Sequence, residues 1–217
     1  MAKRYLILLG IVFAFLLAFS LSINNFANMM TLTNLIRQSA VFTILSVGMT
    51  IVIICGGIDL SVGANIALSG AVAAVVINAV GAETPVGAVA GFVTAFAVST
   101  FIGACNGVLC GYLKISAFMA TLAMQTFCKG LTLLIMNSVR IVVPNKIFKW
   151  LGNGQWTLGP VVIPTSVCML VPFILFCLWA VKNLRFGVQL YAVGGNARAA
   201  HAAGINSNRF IFFTYLI

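Results

Sequence analysis

The sequence from Ala40 to Val80, AVFTILSVGMTIVIICGGIDLSVGANIALSGAVAAVVINAV, consists of two apolar runs with a short interruption between them. The runs, Ala40 to Cys55 and Val62 to Val80, each approach the ~20 apolar residues that a helix needs to cross the hydrocarbon core of a bilayer. The interruption contains Asp59, the only acid of the stretch. We therefore predict two membrane-spanning helices that meet at a break around Asp59.

Composition extends this interpretation to the whole chain. Of its 217 residues, 62% are hydrophobic and 6% are charged, whereas soluble domains carry about 25% charged residues to cover their surface. A soluble globular protein is excluded, and we expect the outer surface to face the lipid bilayer. The net charge of +10 comes from basic residues scattered singly between apolar runs. This pattern indicates membrane orientation and no nucleic-acid partner.

Apolar runs recur along the chain, and the last begins near its C-terminal end. The first run follows Lys3 and Arg4, and its alternative interpretation is a signal peptide cleaved near residues 20–22. We favour a retained helix because the run is long and further runs follow. The predicted fold class is all-α, a polytopic transmembrane helical bundle formed by a single domain of residues 1–217. The six predicted spans and the start of a seventh are 5–23, 40–55, 62–80, 86–111, 117–136, 161–181 and 210–217 onward.

The basic residues predict which way these spans point. Loops on the cytoplasmic side of a membrane carry an excess of Lys and Arg, and a cytoplasmic N-terminus places most of the basic residues on that side. The outer connections, 24–39 and 144–160, are expected to lie at the membrane interface. The inside set is Lys3, Arg4, Lys114, Lys182, Arg185, Arg198 and Arg209, and the outside set is Arg37, Arg140, Lys146 and Lys149.

The sequence contains no recognisable catalytic or metal-binding motif. Its two acids, Asp59 and Glu83, are far apart, its six cysteines have no C-x-x-C spacing, and His201 lies far from the cysteines. An intramembrane enzyme would therefore lack an evident nucleophile and base. The chain also has no phosphate loop of the form G-x-x-x-x-G-K followed by Ser or Thr, so it is not itself an ATPase. We expect no enzyme activity, no cofactor and no metal.

The interruption between the first two quoted runs has two interpretations. Gly56 and Gly57 can end one helix, and Asp59 or Ser61 can cap the next one, because their oxygens accept hydrogen bonds from free N–H groups. Alternatively, Asp59 lines a solute path, since an acid at membrane depth costs about 2.5–3.5 kcal/mol and needs compensation. Broken helices line substrate sites in many transporters.

Other polar residues of the spans are open to the same two interpretations. Asn65, Asn106 and Thr121 can hydrogen-bond a passing hydroxyl group, or they can tie helices together inside the membrane. Glycines at four-residue steps in the fourth span predict close helix packing within the chain, with a dimerisation contact as the alternative. These glycines are Gly87, Gly91, Gly103, Gly107 and Gly111.

The connection 182–209 is predicted to contain a short helix on the inner side. Asn196 is a plausible N-cap, residues 197–203 favour a helix, and Gly204 can end it. A helix this short is unstable alone, so either a partner protein or the rest of the chain must hold it.

Several motifs in order resemble the ribose-type sugar permeases of ATP-binding cassette (ABC) transporters. The segment Gly-Gly-Ile-Asp-Leu-Ser-Val-Gly at 56–63 is similar to the signature of that family, and the resemblance covers essentially the whole chain. The chain departs from the family at Ala203, where Ser is usual, and at Lys129, where Arg is usual. Other matching stretches are Asn34-Leu35, Gly48-Met49-Thr50, Asn106-Gly107, Phe118 to Leu122, Lys129-Gly130, Gly194-Gly195-Asn196, Ala199-Ala200 and Gly204-Ile205.

The resemblance implies a permease subunit of a bacterial inner-membrane sugar importer. Its implied partners are a cytoplasmic ATP-binding cassette ATPase, a periplasmic sugar-binding protein and a second permease subunit in a homo- or heterodimer. Because the family continues with further spans, we expect a C-terminally truncated permease. A secondary carrier that uses an ion gradient through Asp59 is the alternative function. The implied coupling loop includes Gly194, Gly195, Asn196, Ala199, Ala200, Gly204 and Ile205.

Overall fold

The computed structural model describes residues 2–23, 26, 28–159 and 161–216. Within these residues, six helices are long and apolar enough to cross a membrane, which confirms the predicted all-α polytopic bundle. In chain order the elements are α1 (Ala2–Ser22), α2 (Met29–Ile54), α3 (Val62–Gly81), α4 (Pro85–Gly107), a π-helical turn (Val108–Tyr112), α5 (Ala117–Met136), α6 (Lys146–Asn153), β1 (Gln155–Leu158), β2 (Val161–Pro164), α7 (Thr165–Asn183), α8 (Arg185–Gly195), α9 (Ala197–Ala202) and α10 (Ser207–Thr214).

Local sequence chemistry sets several helix ends. Thr84 precedes α4, and its hydroxyl accepts a hydrogen bond of 3.1 Å from the backbone N–H of Gly87. Pro85 follows at the first helical position, where its missing N–H leaves no hydrogen bond unmade. At the other end of a span, α5 stops at Asn137 in a left-handed conformation, with φ of 48°.

The second span is longer than predicted. Helix α2 begins at Met29 and not at residue 40, so 29–39 is helical and is not a connection. Two polar side chains of this stretch find partners, one within α2 and one in α6. The hydroxyl of Thr33 donates to the carbonyl of Met29 at 2.7 Å, and the guanidinium of Arg37 donates to the carbonyl of Asn153 at 3.1 Å.

The sixth span begins later than predicted. The structure places residues 161–164 in β2, which pairs antiparallel with β1, so that Trp156 lies opposite Ile163. Pro164 adopts an extended conformation directly before α7, and β-branched residues such as Val162 favour strand geometry. The apolar composition of 161–164 therefore belongs to a hairpin and not to the spanning helix.

The other boundaries agree more closely with the predictions. Helices α1 and α3 agree with 5–23 and 62–80 to within a few residues, and α5 coincides with 117–136. The span 86–111 ends in the π-helical turn, and the helix at the predicted seventh span begins at Ser207, three residues before the predicted 210, and ends at Thr214. That helix, α10, is capped by Asn206, whose side chain accepts a hydrogen bond from the N–H of Arg209 at 3.0 Å.

Three small buried clusters hold the helices together. Helices α3, α4 and α5 pack around Ala64, Leu68, Ile102 and Cys128. A second cluster joins α2, α8, α9 and α10, and a third joins α2, the π-helical turn, α5 and α10. Helix α10 contributes to the last two clusters and so connects them to each other. The large apolar side chains outside the clusters are mostly exposed, as expected for a surface that faces lipid.

Candidate functional site

The segment between α2 and α3 is a sharp break, at which α2 ends and after which α3 begins. Gly56 has a left-handed φ of 84°, a conformation that costs glycine nothing. The N–H of Gly57 then bonds back to the carbonyl of Val52 at 2.9 Å. Gly56 and Gly57 thus form the turn that follows α2.

Asp59 and Ser61 organise the start of α3 in a different way from the predicted cap. One carboxylate oxygen of Asp59 accepts hydrogen bonds from the N–H of Ser61 at 2.8 Å and from its hydroxyl at 2.6 Å. Ser61 occupies the N-cap position, but its side chain makes no capping bond to α3. The carboxylate of Asp59 therefore fixes the turn that precedes α3 and does not bond the N–H groups within its first turn.

A second bond connects this turn to α4. The side-chain amide of Asn106 donates to the hydroxyl of Ser61 at 2.8 Å, and both residues are 0% exposed. The carboxylate, the hydroxyl and the amide therefore form a chain of hydrogen bonds across the break. Asn106 ties two helices together, which is one of its two predicted interpretations.

The carbonyl of Ile58 lies within the break and faces two hydroxyl groups from other helices. The hydroxyls of Thr121 in α5 and Tyr215 after α10 each lie 3.4 Å from this carbonyl oxygen. Thr121 also donates to the carbonyl of Ala117 at 2.7 Å, and a hydroxyl has a single proton to donate. The helix bond is the shorter one, so Thr121 is mainly satisfied within α5.

A cavity of about 160 Å³ adjoins the break. Asn65 donates a long hydrogen bond of 3.4 Å to the carbonyl of Ser99, while its side-chain oxygen is buried and has no partner among the described residues. The side-chain oxygen of Asn106 is also buried and has no partner among the described residues. An unpaired buried oxygen is unfavourable until a hydroxyl or water donates to it. The polar residues lining the cavity are Asp59, Asn65, Ser99, Thr214 and Tyr215.

The predicted coupling loop forms two helices at one end of the bundle. Asn196 caps α9 as predicted, since its side-chain oxygen accepts from the N–H groups of Arg198 and Ala199, both at 3.0 Å. Gly204 has a φ of 88°, and the N–H of Ile205 bonds to the carbonyl of Ala200 at 3.0 Å. Helix α8 was not predicted, and it includes Gly194 and Gly195 as its last residues.

The two faces of α9 have different environments. Ala200 is 5% exposed and belongs to the buried cluster that contains Ile51 of α2 and Phe210 of α10. Ala199 and Ala202, on other faces of the helix, are exposed. Ala200 is therefore buried within this chain, and the small residues of α9 that remain accessible to a partner are Ala199 and Ala202.

Helix α8 packs directly on the end of α2. A methyl group at Gly194 would overlap the carbonyl of Ile54, the last residue of α2. Ser207 connects α9 to α10, because its buried hydroxyl donates to the carbonyl of Ala197 at 2.7 Å. Neither Ser207 nor Tyr215 was singled out from the sequence, since nothing in their local pattern differs from an ordinary helix residue.

The glycine row of the fourth span packs against neighbouring helices of the same chain, as predicted. A methyl group at Gly107 would lie 2.7 Å from the carbonyl oxygen of Phe212, and one at Gly111 would lie 2.8 Å from that of Asn208. A methyl group at Gly103 would lie closer still to the carbonyl oxygen of Tyr215. Glycine at these positions allows α10 to approach the backbone of α4 and the π-helical turn.

Comparison with known proteins places this bundle in a family. The family described as branched-chain amino acid transport system / permease component matches residues 31–217. The chain belongs to this permease family. The match includes the helix break, the glycine row and the α8–α9 segment, and it confirms the resemblance inferred from the motifs.

Individual members of the permease family cover most of the chain. Ribose import permease protein RbsC of Escherichia coli (strain K12) is 36% identical over 195 residues, which are 88% of this chain and 58% of that protein. The protein of the same name from Bacillus subtilis (strain 168) is 36% identical over 206 residues, 93% of this chain and 61% of that protein. Galactofuranose transporter permease protein YtfT of E. coli (strain K12) is 32% identical over 184 residues, 85% of this chain and 51% of that protein.

The chain thus spans between about half and three fifths of the length of these relatives. No solved structure matches it.

Proposed function

We propose that this chain forms the membrane-spanning part of a permease subunit in an ABC importer that moves a monosaccharide or related small sugar across a bacterial inner membrane. The observation that carries the proposal is the 36% identity to a ribose import permease over 88% of the chain. Relatives named for galactofuranose and fructose also favour a sugar over the branched-chain amino acids of the family description. The same identities favour this class over a secondary carrier driven through Asp59.

The proposed transporter includes partners that supply energy and substrate. A cytoplasmic ATPase subunit hydrolyses ATP, a periplasmic binding protein delivers the sugar, and a second permease subunit completes the path as a homo- or heterodimer. In this arrangement the N-terminus and the loop 182–209 lie in the cytoplasm. The excess of basic residues assigned to that side supports this orientation.

The cavity beside the helix break is the proposed position of the solute path in this chain. A sugar offers hydroxyl donors, and Asn65, whose buried side-chain oxygen is unpaired, lines this cavity. The unpaired side-chain oxygen of Asn106 is a second buried acceptor near the break, although Asn106 does not line the cavity. The break is shaped by Gly56, Gly57, Asp59 and Ser61. The hydroxyl of Thr121 lies 3.4 Å from the carbonyl oxygen of Ile58 within the break. A path built this way recognises neutral hydroxyl groups by acceptors and requires no counter-charge.

The exposed face of α9 is the proposed contact with the ATPase. Ala200 of α9 belongs to the buried cluster that also contains Ile51 of α2, and Gly194 of α8 packs on the carbonyl of Ile54. A displacement of α9 and α8 must therefore move the end of α2, because close-packed interfaces shift as units. The residue that follows α2 is Cys55, and Gly56 begins the break one residue later. This contiguous packing supports a route from the ATPase contact to the solute path.

Complementation tests the proposed substrate class. The protein at its natural full length is expressed with its ATPase and binding-protein partners in a bacterium that lacks its own ribose and other monosaccharide permeases. We expect restored growth on at least one monosaccharide, with loss of growth when the ATPase subunit carries an inactivating substitution. Growth that is restored without an active ATPase would contradict the proposal.

Cysteine labelling tests the proposed orientation. Asn183 and His201 are exposed at the α8–α9 end, and Lys146 and Lys149 are exposed on α6. Single cysteines are placed at these positions in a cysteine-free background and treated with an impermeant thiol reagent from the periplasm. We expect labelling on α6 only. Labelling at residues 183 and 201 but not on α6 would reverse the orientation.

A further inference from the structure

An open cavity of about 330 Å³ lies at the end of the bundle that carries α9. It is lined by Lys114, Arg198, His201, Ala197, Ser207 and Asn208. Pockets that bind small ligands have volumes of about 300–1,000 Å³, so this cavity has room for a polyatomic group. Its lining is basic and belongs to two separate parts of the chain, the turn before α5 and the α9–α10 segment.

The positive charge of this cavity has no counter-ion within the sequence. The chain contains two acids in total, Asp59 and Glu83. Asp59 bonds Ser61 inside the helix break. Glu83 precedes α4 whereas Lys114 follows it, so the whole length of that helix separates them. Neither acid lines the cavity.

The backbone holds the basic side chains in place. Lys114 has a φ of 56°, a left-handed conformation that is uncommon for residues other than glycine. Its ammonium group contacts the side-chain oxygen of Asn208 at the start of α10. On the other wall, the Asn196 cap fixes the first turn of α9, which carries Arg198. Asn208 therefore holds the Lys114 ammonium group at the cavity, and the cap fixes the backbone that carries Arg198.

We propose that this cavity binds a phosphate-bearing anion. A guanidinium group matches the oxygens of phosphate bidentately, and an ammonium group binds phosphate as a point charge. Tyr112 of the neighbouring π-helical turn, whose ring centroid lies 5.9 Å from that of Phe212 in α10, is of a residue type that favours the membrane interface. The anion is therefore either the headgroup of an anionic phospholipid or free phosphate, and the shared chemistry is a phosphoryl group held by Lys114, Arg198 and His201.

The test compares two double variants that remove the same charge at different places. Lys114→Gln with Arg198→Gln neutralises the cavity, and Lys146→Gln with Lys149→Gln neutralises two exposed lysines of α6. Each purified protein is placed in nanodiscs of phosphatidylcholine with phosphatidylglycerol, and the retained phosphatidylglycerol is measured by native mass spectrometry. Binding of inorganic phosphate is measured separately by calorimetry in detergent. Elution as a single species and an unchanged thermal midpoint establish that each variant is folded.

We expect the cavity variant to bind at least one of the two probes about tenfold or more weakly than the unmodified chain, while the α6 variant binds like the unmodified chain. Phosphatidylglycerol retained without phosphate binding identifies a lipid headgroup, and phosphate binding identifies a free anion. Equal binding by both variants would overturn the proposal. The proposal would also be overturned if neither probe bound the unmodified chain and the cavity variant lost its ATPase partner. The basic surface would then recognise an acidic protein. Neither binding measurement depends on sugar uptake. The anion-binding proposal and the proposed transport function can therefore fail independently of each other.

Discussion

The side-chain amide of Asn106 in α4 donates a 2.8 Å hydrogen bond to the hydroxyl of Ser61, the residue that precedes α3. Both side chains are fully buried. Ser61 in turn donates to Asp59, so a residue of α4 determines the geometry of the break between α2 and α3. The bond connects residues 45 positions apart in sequence, and it makes the break a property of the packed bundle.

Removal of either partner of this bond is expected to destabilise the bundle. Hydrogen bonds between helices in membranes contribute about 0.6 kcal/mol on average and about 1.7 kcal/mol at most. We expect a coupling energy in this range from a double-mutant cycle of Asn106→Ala and Ser61→Ala, measured by reversible unfolding in mixed micelles. Strictly additive effects of the two substitutions would contradict a direct interaction.

Asp59 is expected to act mainly through the oxygen that accepts two bonds from Ser61. Asp59→Asn keeps an acceptor at this position and should retain assembly, whereas Asp59→Leu removes it and should lose about 1.5–3 kcal/mol of stability. The measurement is the thermal midpoint and the fraction of monodisperse protein in size-exclusion chromatography. Equal damage from both substitutions would show that the charge of Asp59 matters and that its acceptor geometry does not.

The docking of α10 against α4 is expected to depend on glycine at position 107. In Gly107→Ala the new methyl group would lie 2.7 Å from the carbonyl oxygen of Phe212, and overpacking of this kind costs about 1–3 kcal/mol. Gly70→Ala is the matched control, because a methyl group there would have no neighbour within 4 Å. Alanine favours helix over glycine by roughly 0.8–1 kcal/mol. We expect Gly107→Ala to lower the thermal midpoint and Gly70→Ala to raise it. Equal shifts in the two variants would contradict the close packing at Gly107.

Local chemistry was sufficient to predict several details of the fold. Gly56, Asn196 and Gly204 each act within a few residues of their position, through a left-handed conformation or a side-chain cap, and each has its predicted conformation or cap. The apolar length of the spans identified the helices themselves. These features depend on covalent geometry and on hydrogen bonds close in sequence.

Other details depend on contacts that the sequence pattern does not encode. Residues 161–164 are apolar enough for a span, but pairing with β1 makes them a strand. In the alanine-rich α9, periodicity does not distinguish Ala199 from Ala200, and only packing into the cluster formed with α2, α8 and α10 buries Ala200. The hydroxyl of Tyr215 reaches the carbonyl of Ile58 across the bundle, which no local motif predicts.

The two faces of α9 allow the proposed ATPase contact to be separated from folding. Ala200→Trp overpacks the buried cluster and should destabilise the chain by about 1–3 kcal/mol by itself. Ala199→Trp places the same bulk on the exposed face and should change the free energy of unfolding by no more than about 0.5 kcal/mol. We expect Ala199→Trp to reduce co-purification of the ATPase subunit from the assembled transporter. Unchanged co-purification, with normal folding, would remove this face of α9 from the proposed contact.

The central proposal, ATP-driven sugar import through this chain, is tested most directly by uptake into proteoliposomes. The full-length permease is reconstituted with its ATPase and binding protein, and uptake of radiolabelled ribose and related monosaccharides is followed with ATP supplied on the ATPase side. We expect uptake that requires both ATP and the binding protein and that persists when ionophores collapse the proton and sodium gradients. Uptake that continues without ATP, stops with ionophores and is abolished by Asp59→Asn would contradict the proposal and identify a secondary carrier.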